Sequence, residues 1–205
     1  MARKSGSSGE KTRAMVEEAA TRLIARHGFA AVSMRQIARE VGVQAGALYL
    51  YTPDKQSLLK DIMRGHLQHL LESWAAQAPD PDLPAAARLE RFVRFHIDYH
   101  ILRAEKVFIS YMELRNLDCD NFAEIERLRR SYEHILEEIL ISGAAEGVFH
   151  HTDTRLTTLA MIAMMTGVST WYRDDGRLPP DAITTRYVDM AFRLAGGEPL
   201  AEAAE

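Results

Sequence analysis

After Glu10, apolar residues recur at three- and four-residue intervals over almost the whole chain, and no stretch alternates apolar with polar residues at period two. A chain patterned this way buries its apolar side as helices, not as strands. The expected fold is therefore all-α, with about nine helices. Met15, Ala19, Leu23 and Ile24 form one stripe that His27-Gly28 stops. Ser33, a good N-cap, opens a short segment that turns Ile37 and Ala38 inward and ends near Val41-Gly42. A second short segment spans Gln44 to Tyr51. Thr52-Pro53-Asp54 then begins a long helix over 55–77 with Leu58, Leu59, Ile62, Leu67, Leu70 and Leu71 on its apolar side. Beyond the linker Pro79-Asp80-Pro81-Asp82-Leu83-Pro84, helices are expected over 85–102, 105–117, 121–146, 153–173 and 180–196.

Charge divides the chain unevenly. The net charge is −4, yet residues 1–64 carry eleven Lys and Arg against six Asp and Glu, leaving that segment at +5 and the remainder at −9. A basic end on an acidic protein suits a polyanionic partner for that end alone. Hydrophobic residues make up 47% and charged residues 26%, the composition of a globular protein, and no run of about 18 apolar residues offers a membrane span. Residues 1–9 are small, polar and basic, and read as a disordered arm without the apolar core of a signal peptide. The single Cys119 excludes an internal disulfide, which favours the cytoplasm.

Residues 33–51 have the pattern of two short helices joined by a tight turn. Ser33-Met34-Arg35-Gln36-Ile37-Ala38-Arg39-Glu40 supplies the first helix, with Ala38 small enough for close helix approach. Val41-Gly42-Val43 supplies the turn, where Gly42 can take positive φ and Val43 is expected to be buried. In the second helix Leu48 packs inward, while Gln44, Ala45, Gly46, Ala47 and Tyr49 are left to face a DNA groove.

Ile37-Ala38, Val41-Gly42-Val43, Gly46-x-Leu48-Tyr49-x-Tyr51 and Pro53-x-Lys55-x-x-Leu58-Leu59 together resemble the TetR (tetracycline-repressor-like) family over about Glu10 to Met63. The resemblance implies a helix-turn-helix DNA-binding domain over 10–54 and a ligand-binding and dimerisation domain over 55–200. It implies that Tyr49 and Tyr51 contact the DNA backbone or brace the recognition helix, and that Lys55 meets a phosphate. Ser33 then brings a helix N-terminus towards phosphate, Gln44 reads a base edge, and Arg35, Lys4, Lys11 and Arg13 are further candidates for DNA contact. Two positions depart from the family's pattern. Ala47 stands where many members have Ser or Thr, and Thr52 where an aromatic is common, with Leu50 expected to compensate for the lost packing.

The family resemblance further implies a homodimer built on the last two long helices, and a repressor that leaves a palindromic operator of double-stranded DNA when a small-molecule effector binds. The nearly all-apolar stretch Leu159–Val168 suits core on one side and a partner on the other. Helix 55–77 connects the two modules and is the expected lever. Candidate pocket residues are Phe92, Phe95, Tyr99, Arg103, Phe108, Met112, Met161, Met165 and Trp171. Trp171-Tyr172-Arg173-x-x-Gly176 resembles the subgroup that senses acyl-CoA thioesters, whose phosphates Arg88, Arg91, Arg94 and Arg103 would meet. The competing effector class is a hydrophobic drug, with an efflux pump under control.

The remaining constellations point nowhere specific. His96-x-x-x-His100 and His66-x-x-His69 have half-site metal spacing without a companion cluster, and read as satisfied core or surface histidines. Asp118 and Asp120 flank Cys119 and disfavour a reactive thiolate. There is no nucleophile elbow, phosphate loop or dinucleotide fingerprint, so a helical enzyme has no positive support and no cofactor is expected.

Overall fold

The computed structural model describes residues 6–198, and every regular element among them is helical. Ten α-helices run α1 (Gly6–His27), α2 (Met34–Val41), α3 (Ala45–Leu48), α4 (Lys55–Ala75), α5 (Ala85–Ile101), α6 (Ala104–Met112), α7 (Cys119–Ala145), α8 (Thr154–Thr166), α9 (Val168–Trp171) and α10 (Pro180–Leu194). A 3-10 turn covers Leu114–Asn116. The count exceeds nine because the helix expected over 153–173 is interrupted at Gly167 and continues as α9. Helix 105–117 is likewise shorter than its pattern, its last turn tightening into the 3-10 segment.

α1 opens at Gly6, so four residues of the anticipated disordered arm form helix; the other five lie outside the described residues. A helix already nucleated downstream gains one hydrogen bond for each residue it adds, which outweighs the weak propensity of Gly and Ser there.

The chain forms two compact units. The first takes the described residues up to Gln68 with Glu105–Leu128, and the second takes His69–Ala104 with the residues from Arg129 on. This differs from the expected division after Asp54, because α4 and α7 each supply residues to both units. In the first unit α1 packs on α2 and α2 on α3, around Val16, Ala20, Ile24, Ile37, Ala38 and Leu48. In the second, α5 is central, packing against α8, α9 and α10 with Leu89, Phe92, Val93 and Ile97 fully buried.

Helix ends follow local chemistry. Asp153 caps α8 by accepting from the Leu156 amide at 2.9 Å, and Asp54 accepts from the Ser57 amide at 2.7 Å at the start of α4. Gly143, inside α7, is not a helix defect: a Cβ there would lie 2.0 Å from Cδ2 of Phe149, which is buried and meets Phe192 edge-on at 5.9 Å. Alanine in a helix ordinarily gains about 1 kcal/mol over glycine. Here the sign reverses. Gly143→Ala is expected to destabilise the protein by about 1–3 kcal/mol through overpacking, measured by urea denaturation.

Candidate nucleic-acid interface and effector core

The α2–turn–α3 segment is built as its residues require. Ser33 has extended backbone (φ −108°, ψ 153°) and its hydroxyl oxygen accepts from the Gln36 amide at 3.3 Å. The Gln36 side-chain oxygen accepts from the Ser33 amide at 2.7 Å, completing a capping box. Gly42 ends α2 at φ +78°, and the next amide, Val43, donates to Ala38 at 2.9 Å. Val43 is half-buried, not buried as expected. Leu48 is fully buried, which fixes the rotation of α3 about its axis and turns Gln44, Ala45, Gly46 and Tyr49 to the surface, with Ala47 at the margin. Arg35 and Arg39 are exposed on neighbouring α2. A capped helix, a glycine turn and a short helix with a bare outer face define a helix-turn-helix DNA-binding module.

Several predicted contacts have other employment. The Lys55 ammonium donates to the carbonyls of Phe29 and Val32, both at 2.6 Å, and lies 4.1 Å from the centroid of the Phe29 ring. Burial pushes its pKa down, and the Glu113 carboxylate pulls it back up. Two of its three donors are thus spent on anchoring the α1–α2 linker, and one is left for a phosphate. Arg13 donates to the Tyr51 carbonyl at 2.8 Å, tying α1 to the end of the recognition segment. Tyr49 is well exposed and Tyr51 half-buried. Thr52 is buried with its hydroxyl donating to the Asp54 carbonyl at 3.0 Å. Leu50 does not compensate for the missing aromatic, because it is 81% exposed. Lys11 is exposed, and Lys4 lies outside the described residues.

Glu113 escaped the sequence reading. Its buried carboxylate accepts from the Phe29 amide at 3.2 Å and from the Asn116 side chain. Beside it, Gln56 donates to the Asn116 carbonyl at 2.6 Å and accepts from the Asp118 amide at 3.3 Å. No sequence signal marks Glu113, because its partner Phe29 is 84 residues away.

The second unit holds an aromatic core. Trp74 meets Phe92 at 5.2 Å and Phe95 at 5.3 Å; Phe92 meets Tyr132 at 5.2 Å; Phe95 meets Tyr99 at 5.6 Å. Met161 and Met165 are fully buried. The Arg103 guanidinium stacks 4.1 Å from the centroid of the Tyr99 ring. Trp171 is half-exposed beyond the helix break, stacked near-parallel with Tyr187 at 6.5 Å. Phe108 and Met112 belong to the first unit, and Met112 is exposed. Seven of the nine predicted pocket residues thus share the second unit, six of them on α5 and α8 or just after α5, and Trp171 stands apart at the end of α9. Arg94 pairs with Glu90 at 2.8 Å and Arg88 lies 3.7 Å from Glu146, while Arg91 is exposed.

Polar groups thread this core. His96 Nδ1 lies 3.2 Å from the Tyr132 hydroxyl and its Nε2 3.2 Å from the Thr166 hydroxyl. His100 Nδ1 donates to the His96 carbonyl at 2.7 Å, and the two rings stack 3.7 Å apart at 5°. Tyr99 shares its hydroxyl with His69 Nδ1 at 2.9 Å. The spaced histidines His96 and His100 are accordingly core residues with partners.

Comparison with known proteins agrees with the module. The family described as "Tetracyclin repressor-like, C-terminal domain" matches residues 82–195, and "Bacterial regulatory proteins, tetR family" matches residues 18–62. The HTH-type transcriptional repressor KstR2 of Rhodococcus jostii is 26% identical over 190 residues, covering 92% of each chain. A crystal structure of a bacterial regulatory protein in the tetR family from Rhodococcus RHA1 is 30% identical with a TM-score of 0.86, covering 93% of this chain and 99% of that one. AibR in complex with isovaleryl coenzyme A and operator DNA is 25% identical with a TM-score of 0.80, over 87% of this chain and 97% of that one. The chain belongs to the TetR family. It is a DNA-binding transcriptional repressor.

Two measurements test the roles of buried charge. Lys55→Met is expected to lower stability by about 1–3 kcal/mol, because two buried carbonyls lose a charged donor; a lysine that served phosphate alone would leave the denaturation midpoint unmoved. For His100, burial lowers the pKa from 6.5 to about 4. The unfolded chain therefore binds a proton between these values when the folded chain does not. Stability is full above about pH 6.5 and falls as pH drops towards 4, by about 3 kcal/mol from this group. The same titration on His100→Gln should be flatter over that window.

Proposed function

We propose that the protein binds a palindromic operator as a homodimer, with α3 of each protomer in the major groove, and that an acyl-CoA thioester releases it. The observation that carries the DNA face is Gly46. A Cβ at this helical position meets nothing within 4 Å, and its φ is not in the left-handed region. Neither packing nor backbone geometry in the free protein requires glycine, although glycine weakens a helix. A glycine without an internal reason fits close approach of an external backbone or base edge. Gln44, Ala45, Ala47 and Tyr49 surround it, and Ser33 and Arg35 supply a capped helix N-terminus and a cation on α2.

The dimer reading rests on α8 and α10. Leu156 and Leu159 on α8, and Met190 and Leu194 on α10, are exposed, while Met161, Ile162, Met165, Ala191 and Phe192 on the same helices are buried. Each helix thus has an inner and an outer apolar side. The effector reading rests on the aromatic and methionine-lined second unit with Arg103 over Tyr99, and on AibR, a relative solved with isovaleryl coenzyme A. Met side chains adapt to flexible acyl tails, and a guanidinium can take a phosphate. No helix among the described residues is long and apolar enough to cross a membrane, and the cytoplasm is the compartment where operator and thioester meet.

Gly46→Ala separates folding from function. The variant is expected to be as stable as the parent or up to about 1 kcal/mol more stable, yet to bind operator at least ten-fold more weakly in a salt series. Undiminished binding by the variant would move the DNA face elsewhere. Release of the parent from its operator by a panel of acyl-CoA thioesters, with free acids and free coenzyme A as controls, tests the effector; release by none of them would sink the thioester reading and leave the repressor.

A further inference from the structure

The turn and recognition segment that the proposed reading turns to DNA is itself poor in the groups that read guanine, the nearby Arg35 standing on α2. From Val41 to Pro53 the chain contains no Lys, Arg, Asp or Glu. Its outward side chains are one amide, Gln44, one phenol, Tyr49, and the apolar Ala45, Ala47 and Leu50. Bidentate recognition of guanine uses Arg or Lys. The basic residue that follows, Lys55, has committed two donors to the α1–α2 linker. Leu50 is 81% exposed, the most exposed of the large apolar side chains among the described residues, while Leu48, two residues earlier, is fully buried. Leu50 lies in the turn that follows α3, where its amide donates to Ala47 at 3.2 Å and the Tyr51 amide to Leu48 at 2.9 Å. Gly46 and Leu50 are both exposed, on either side of the buried Leu48. Exposed leucine gains nothing in the free protein, and the apolar group that a major groove offers is the thymine 5-methyl.

We infer that this repressor reads its half-site chiefly at thymine methyl groups, with Leu50 as the specificity-determining residue. The inference rests on the DNA face proposed above. Leu50 seats against a methyl that the bare backbone at Gly46 allows to come near, and Gln44 and Tyr49 supply the hydrogen-bonding side chains of this segment.

The test uses the full chain and the operator recovered by selection from random duplexes. Each thymine is replaced in turn by deoxyuridine, which removes the methyl and leaves base pairing intact. For the parent, uracil at one or two positions per half-site should weaken binding about four-fold per methyl, the equivalent of ~0.8 kcal/mol for one buried carbon. Leu50→Ala should bind the thymine and uracil duplexes equally at one such position, and Gln44→Ala should keep the parent's discrimination there. Because Leu50 is exposed, its variant should match the parent in circular dichroism and melting temperature. Binding that is sequence-specific yet indifferent to every uracil overturns the inference, as does discrimination that survives in Leu50→Ala. Selection that returns no preferred sequence overturns the DNA face itself and this inference with it.

Discussion

The first unit depends on two charges of opposite sign that grip one residue. Lys55 takes the carbonyl and the ring face of Phe29, and Glu113 takes its amide. Residues 28–33 run between α1 and α2; Gly28 and Ser33 bond to the flanking helices, but the Phe29 amide and the Val32 carbonyl take their partners from side chains elsewhere in the chain. Side chains from the start of α4 and from just beyond α6 supply that need. The linker then delivers Ser33 in the extended conformation its capping box requires, which sets the direction of α2 and, through Ile37, Ala38 and Leu48, the rotation of α3. Each charge also offsets the desolvation of the other. Removing either one leaves the other, buried Glu113 or half-buried Lys55, without its neighbouring charge and orphans a peptide group, a larger loss than one hydrogen bond.

Features governed by near neighbours were legible in the sequence. The helical period, the Ser33 cap, the positive-φ Gly42 and the inward Ile37, Ala38 and Leu48 all follow from residues within one or two turns, and the structure has each of them. The family resemblance over about Glu10 to Met63 is legible for the same reason. Features set by distant partners were not. Nothing local to Lys55 announces its bonds to the carbonyls of Phe29 and Val32, 23 and more residues away. Glu113 sits just beyond the apolar α6 with no pattern to mark it. Leu50 does not take over packing from the aromatic missing at Thr52, because Leu48 is the residue turned inward. The break at Gly167 that separates α8 from the short α9 bearing Trp171 has no mark in the apolar pattern around it.

The second unit shows a different compromise. Its aromatic core would be simpler without His96, His100, Thr166 and the Tyr132 hydroxyl, because buried polar groups stabilise only when each is satisfied. Here they are interlinked: both nitrogens of His96 are engaged and His100 is tied to its backbone. A network of this kind favours one arrangement of α5 against its neighbours over slid or rotated alternatives. It also raises the selectivity of any cavity that opens beside it. An apolar effector can displace Met161 or Met165 at little cost, but a ligand that parts a histidine from its hydroxyl must return an equivalent hydrogen bond.

Affinity and specificity are therefore carried by different chemistries on the DNA side. The +5 charge of the first 64 residues acts at long range, falls with salt and is indifferent to sequence. The bare face of α3 carries no charge and acts only at contact, where shape and apolar matching decide. An effector needs to disturb only the second of these to release a specific site, since misplacing α3 by a fraction of a base step forfeits the contact terms while the general attraction persists. Such a repressor would leave its operator without leaving DNA. Its response would then be set by the difference in effector affinity between the docked and undocked arrangements, and not by how tightly the effector binds overall.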